Sequence, residues 1–123
     1  MIITNEKQKE AILNALLDEY SRKIIDSTIN KSKSITEIIR EQNIPMTSTY
    51  RRVKLLVDSK LIKVERSMVT EDGKRYYLYL SSIKNASITY NEGELIVEIT
   101  PNIKELPEDK LLRSFTNIKQ EAR

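Results

Sequence analysis

At 123 residues with 39% hydrophobic and 32% charged content, the chain is sized for one domain with a modest core and is too short for two independent ones. It has no Cys, which excludes a disulfide framework and thiolate metal sensing, and no His, which leaves an all-carboxylate site as the only metal site it could build. The formal charge of +3 is too small for the total to argue for a polyanionic partner, so only its distribution carries information.

In chain order, the start MIITNEKQKE lacks the features of a signal peptide, and no apolar run approaches the roughly 18 residues of a membrane span. The expectation is a cytoplasmic protein without a membrane partner. A first helix is predicted from Asn5 to about Leu17, with Asn5 and Gln8 as a loose capping pair and Ile12, Leu13, Leu16 and Leu17 on one side. Asp18 then caps a second helix through about Ile29, whose Ile24, Ile25, Thr28 and Ile29 fit core packing, and Lys31-Ser32-Lys33 reads as a polar connector.

Ser34-Ile35-Thr36-Glu37 is a capping box, so a third helix starts at Ser34 and turns Ile35, Ile38 and Ile39 to one face. It cannot easily pass Ile44, because Pro45 disfavours helical geometry in the residue before it. A fourth helix opens near Met46 or Thr47. At about 100° per residue its Thr49, Val53 and Leu56 lie within roughly 60° of one another, flanked by Met46 and Val57. Thr47, Arg51, Lys54 and Asp58 hold the opposite direction, with Ser48 and Tyr50 on its shoulders. Solvation alone would account for such a face on an isolated helix. After a short helix and a tight turn, its hydroxyls and cations are the groups that bond base edges and phosphates of a duplex, so the segment reads as a recognition helix.

Beyond Leu61 the apolar period shortens to two: Ile62, Val64, Met68, Tyr76, Leu78 and Leu80 alternate with polar residues around Glu71-Asp72-Gly73-Lys74. That predicts a hairpin with Lys74 and Arg75 at its tip, while Tyr76, Tyr77 and Tyr79 are read as ordinary strand formers. A second hairpin is predicted from Ala86, Ile88 and Tyr90 with Leu95, Val97 and Ile99, separated by Asn91-Glu92-Gly93. Pro107, Glu108 and Asp109 mark the start of a terminal helix carrying Leu111, Leu112, Phe115 and Ile118 at helical spacing.

Charge is concentrated in one part of this layout. From Met46 to Lys84 nine cations face four acids, whereas the rest of the chain carries twelve against fourteen. A localised basic segment of this kind is the footprint expected of a duplex-binding face.

Several stretches together resemble the winged helix-turn-helix domain of the ArsR-like group of transcriptional regulators, over about Leu13 to Leu80. They are LLDEYSRKII (16–25), SITEII (34–39), STYRRVKLL (48–56) and KLI (60–62). The composition, rich in Ile, Lys and Asn, fits an AT-rich archaeal or bacterial genome. In two places the chain departs from the family. Lys60 stands where the family usually ends its recognition helix with Gly, and the Cys and His ligands of the metal-sensing members are missing.

The expectation is therefore an α+β fold: a winged helix-turn-helix domain (1–82) with an extra hairpin and a C-terminal dimerisation helix (83–123) in the same compact unit. Thr47, Ser48, Tyr50, Arg51 and Lys54 would contact double-stranded DNA, Arg52 a phosphate, and Lys74 and Arg75 the flanking groove or backbone. The family's first and last helices pair across a two-fold axis. The resemblance thus implies a homodimer through Ile12, Leu16, Leu111, Leu112, Phe115 and Ile118, reading half-sites about 34 Å apart. A small-molecule effector stays open, and no cofactor is expected. A winged-helix module that binds proteins of the transcription machinery is the alternative. An enzyme is disfavoured, since there is no His or Cys, no Gly-rich phosphate loop and no acidic motif. With no thiolate or imidazole to ligate or oxidise, chelators and thiol reagents are expected to leave thermal stability and DNA affinity unchanged, as checked by a melting curve and a gel shift with and without each reagent.

Overall fold

Three of the helix starts are fixed by side chains that accept from backbone N–H groups lacking an intrahelical partner. The computed structural model describes residues 1–103. In it, Asn5 Oδ1 accepts from the Gln8 amide (2.9 Å) to open α1 (Glu6–Leu17), and Asp18 Oδ2 accepts from the Ser21 amide (2.9 Å) to open α2 (Glu19–Ser27). At α3 (Ile35–Gln42) both bonds of the capping box are made: the Glu37 amide donates to Ser34 Oγ and the Ser34 amide to the Glu37 carboxylate, each 3.2 Å. α4 (Met46–Asp58) follows Pro45 without a side-chain cap. The fully buried Thr49 satisfies its hydroxyl by donating to the Pro45 carbonyl (2.8 Å).

The end of α4 resolves the question that Lys60 poses. Its amide donates to the Val57 carbonyl (3.0 Å) and the Leu61 amide to the Leu56 carbonyl (2.9 Å), the paired bonds of a Schellman motif. Lys60 takes the left-handed conformation this motif requires, at φ 64°. Leu56 and Leu61, both buried, supply its apolar contact, which offsets the strain.

Two antiparallel hairpins complete an α+β architecture: β1 (Ile62–Val69) with β2 (Arg75–Ser81), and β3 (Ile83–Asn91) with β4 (Glu94–Pro101). Each gains a short neighbour from elsewhere in the chain. Lys33 bridges Tyr79 through two backbone bonds (2.9 and 2.8 Å), so the connector before α3 forms part of the first sheet. Met1 to Ile3 lie against β4, with Ile3 donating to Val97 (2.9 Å) and Ile99 to Met1 (2.8 Å). The buried Asn102 closes the arrangement. Its side-chain amide donates to the carbonyls of Ile29 (2.8 Å) and Ser81 (2.9 Å), linking the end of α2, the end of β2 and the end of β4.

One apolar cluster runs through all of this, from Ile12, Ile24 and Ile38 in the helices to Leu61 and Ile62, and on to Ile83, Val97 and Ile99 of the second hairpin. Each fully buried large side chain contributes about 1.5–3 kcal/mol relative to exposure. The second hairpin therefore shares the helices' core rather than forming one of its own.

Several sequence expectations are corrected here. Met46 does not flank the buried stripe of α4 but is 63% exposed: it is the first residue of the helix, and burial begins at Thr49. On α1 the apolar side is formed by Ile12 and Ala15; Leu17 is 80% exposed, since the helix ends there and Asp18 turns the chain away. α2 stops at Ser27, where Thr28 caps it with its own hydroxyl on the carbonyls of Ile24 (2.9 Å) and Ile25 (3.1 Å). Ile12, expected at a dimer interface, is 0% exposed within its own subunit and has no surface to offer a partner. Leu16 packs partly against the same core. The expected terminal helix with Leu111, Leu112, Phe115 and Ile118 lies outside the described residues.

Replacing Lys60 by Gly removes the steric cost of the left-handed position while keeping both Schellman bonds. Lys60→Gly is expected to raise stability by about 1 kcal/mol, read as a higher urea midpoint at unchanged slope; a lower midpoint would contradict this account of the helix end.

Candidate functional site

The outward face of α4 follows from which of its residues the core takes. Thr49, Val53 and Leu56 are buried, which turns Thr47, Tyr50, Arg51, Lys54 and Asp58 to the exterior, where all five are exposed. Helical spacing gathers them within an arc of about 100°.

The tip of the first hairpin is held by its own hydrogen bonds. Gly73 donates to the Thr70 carbonyl (3.0 Å) and Thr70 to the Lys74 carbonyl (2.8 Å), while Thr70 Oγ1 accepts from the Lys74 amide (3.0 Å) and donates to the Asp72 carboxylate. Gly73 occupies φ 85°, so this is a type I turn followed by a left-handed residue, the usual three-residue hairpin connection. Lys74 and Arg75 thus leave a fixed turn. Cross-strand register pairs Val64 with Tyr79, Ser67 with Tyr77 and Val69 with Arg75. With the strand period of two, Arg75, Tyr77 and Tyr79 share one face of β2.

That face looks toward α3 and α4 across an open groove of about 1010 Å³. Tyr50, Val57 and Lys54 line it on the α4 side, Ile35 and Arg40 on the α3 side, and Lys74, Arg75, Tyr77 and Tyr79 on the hairpin side. Its floor is aliphatic and aromatic, and its rim carries four cations against the carboxylates of Glu37 and Asp58. Burial pushes the Tyr79 hydroxyl above the usual phenol range, with Tyr77 and Tyr50 adding to the shift, so it remains a neutral hydrogen-bonding group.

Of the residues expected to form the site, Tyr50, Lys54, Lys74 and Arg75 meet in this groove. Thr47 and Arg51 sit beside it on the exposed face of α4 but do not line it. Ser48 is half-buried, and its carbonyl accepts from Arg52 at 3.4 Å.

Arg52, expected on a phosphate, has a different partner. Its guanidinium donates to both Asp18 oxygens, Nε to Oδ2 at 2.5 Å and Nη2 to Oδ1 at 3.1 Å, and lies over the Tyr20 ring 5.1 Å from the centroid. Asp18 Oδ2 also accepts from the Ser21 hydroxyl at 2.7 Å. The Arg52 hydrogen bonds, helped by those from Ser21 and opposed by partial burial, hold the Asp18 carboxyl well below the usual carboxylate range; the same pairing raises Arg52. A bidentate pair of this kind fixes the roll of α4 on the N-terminus of α2.

Sequence reasoning missed Arg40, Tyr77 and Tyr79 as groove residues and Asp18 with Tyr20 as partners of Arg52. The alternation of Arg75, Tyr77 and Tyr79 was a usable signal for a shared face. Nothing local linked Asp18 to a residue 34 positions away. Among the described residues there is no cluster of three or more metal-ligating side chains, and no helix is long and apolar enough to cross a membrane. Neither the protein-family models nor the curated proteins yield a match to this chain.

The Asp18–Arg52 pair makes a pH-dependent contribution of defined sign. A carboxyl whose folded pKa is depressed stabilises the fold fully above its unfolded value, about 3.9, and loses that contribution as pH falls toward the folded value. Asp18 keeps 34% of its side chain exposed, so water screens the pair. Arg52→Ala is then expected to cost about 1–2 kcal/mol at neutral pH. Asp18→Asn retains a capping oxygen and isolates the pair. Urea midpoints of the parent and D18N should differ at pH 6 and converge as pH drops below about 4; a gap that is constant over this range would rule the pair out as its source.

Proposed function

We propose that this protein is a winged helix-turn-helix regulator of transcription that binds double-stranded DNA as a homodimer, with α4 as its recognition helix and the β1–β2 hairpin as its wing. The observation that carries this reading is the common groove: the exposed face of α4 and the cations of the hairpin tip border one concave, basic surface. The layout of four helices, with a capped α3, a tight turn at Asn43 and a two-stranded hairpin after α4, is compatible with that domain.

In this reading Thr47, Tyr50, Arg51 and Lys54 enter the major groove, where hydroxyls and a guanidinium can bond base edges. Lys74 and Arg75 hold the flanking backbone or minor groove. Ser48 reaches a phosphate only from the shoulder of the helix, and Arg52 serves by orienting α4 through Asp18. The tyrosines of the groove add hydroxyl donors to a surface whose charge would otherwise attract any polyanion. Dimerisation would set two α4 helices about 34 Å apart on a pseudo-palindrome. The spacing of Leu111, Leu112, Phe115 and Ile118 supports self-association, whereas Ile12 is spent in the core.

Selection from a random duplex pool, followed by titration of the recovered site, tests the reading. Arg51→Ala is expected to cost about 1–3 kcal/mol at the selected site and to relax its sequence preference, whereas Lys74→Ala should weaken all duplexes alike and flatten the salt dependence. Arg52→Lys, which keeps the charge but loses the bidentate fork, should reduce stability more than it reduces affinity measured on the folded fraction. Parent-like binding by both R51A and K74A would overturn the assignment.

A further inference from the structure

We infer that the outer edge of β3 is a contact surface for a second copy of this chain, joined as an antiparallel strand pair centred on Ile88. An uncovered strand edge presents a row of backbone donors and acceptors and pairs with another chain unless charge, proline, a bulge or a covering segment prevents it. The strands of this fold are treated very differently in this respect. β2 is bridged by Lys33 at Tyr79 and carries Arg75 at its far end, and β4 is flanked from Val97 to Ile99 by Met1 to Ile3. β1 has an outer edge carrying Lys63, Glu65 and Arg66, broken by a register shift between Val64 and Arg66. On β3 the only register shift lies at its start, between Ile83 and Asn85, and from Asn85 to Asn91 it has no charge, no proline and no irregularity. Ile88 is 42% exposed and Tyr90 73% exposed along that run.

The occupant follows from the sequence of the strand itself. The regular stretch Asn85–Asn91 has its middle at Ile88, and a two-fold axis there sets each residue opposite its mirror position. Tyr90 then meets Ala86, a large side chain against a small one, Thr89 meets Ser87, and Asn91 meets Asn85. Just outside the stretch, Lys84 at the irregular start of the strand and Glu92 in the turn (φ 49°) put opposite charges at its two ends, so each end of the pair brings Lys84 of one copy near Glu92 of the other. An edge that is neutral along its length and oppositely charged at its two ends is complementary to itself. This interface does not depend on DNA binding, since none of these residues lies on α4 or at the tip of the first hairpin.

The test is sedimentation of the full chain at low salt. The parent should sediment as a dimer. K84E and E92K should each shift it toward monomer, because the end pairs become repulsive. The swap K84E/E92K should restore the dimer. S87K/T89K sets Lys against Lys on both sides of Ile88 and should give a monomer; Lys at position 87 stands opposite Glu98 within the hairpin, so the fold tolerates it. Hydrogen exchange on the parent gives a second readout: the outward-pointing amides of Ala86, Ile88 and Tyr90 should lose protection on dilution through dissociation, while those bonded to β4 keep theirs. A parent that is monomeric at tens of micromolar, a swap that does not recover, or a dimer that survives S87K/T89K overturns the inference. A chain truncated before Lys104 that becomes monomeric while S87K/T89K remains dimeric would place the contact on the tail and overturn it too. Retained binding of a single half-site by S87K/T89K would separate failure of this interface from failure of the DNA reading.

Discussion

One carboxylate ties α4 to the start of α2, beside the apolar packing of Val53 and Leu56. Asp18 caps α2 through Ser21 and at the same time binds both forks of Arg52 from α4, with the Tyr20 ring beneath the guanidinium. A single side chain thus opens one helix and orients another, and the two functions reinforce each other: the cap fixes the carboxylate, and a fixed carboxylate can accept a bidentate partner with little further loss of entropy. The pair also removes one charge from a crowded helix. Arg51, Arg52 and Lys54 are close in sequence, and neutralising Arg52 on the inner side leaves Arg51 and Lys54 as the cations of the outer face.

With α4 held in this way, the groove follows from the hairpin. β1 starts within the core at Ile62, immediately after the Schellman motif, so the direction of the first strand is set by the end of α4. The left-handed Lys60 is therefore part of the geometry of the site although it lines no part of the groove. The backbone bonds between Lys33 and Tyr79 fix the hairpin from the other side. These two anchors at the base of the hairpin direct the Arg75–Tyr77–Tyr79 face toward α3 and α4.

The second hairpin joins the helices through a few buried residues. Val97 and Ile99 belong to the common core, Met1 to Ile3 cover β4, and Asn102 ties its end to α2 and β2. These contacts leave the stretch Asn85–Asn91 of β3 as an uncovered, uncharged boundary of the sheet among the described residues. None of these β3 residues lines the basic groove.

What the sequence determined by itself is what depends on neighbours along the chain. The capping box at Ser34, the caps at Asn5 and Asp18, the stop before Pro45, the buried stripe of Thr49, Val53 and Leu56, and the turns at Gly73 and Gly93 all rest on interactions spanning a few residues, and each is legible from residue type and spacing. The exposed face of α4 was legible for the same reason, as the complement of its stripe. Tertiary structure alone decided which of these cations is paired with Asp18, because Arg51, Arg52 and Lys54 are equivalent in type and only the approach of Asp18 distinguishes Arg52. It also decided that Ile12 is core and Leu17 surface, since two apolar residues on one helix are told apart only by what packs against them. The return of Met1 to Ile3 onto β4 and the meeting of Tyr50 with Tyr77 and Tyr79 were likewise beyond reach, because both are contacts between distant segments whose relative placement is fixed by the shared core and not by any local signal.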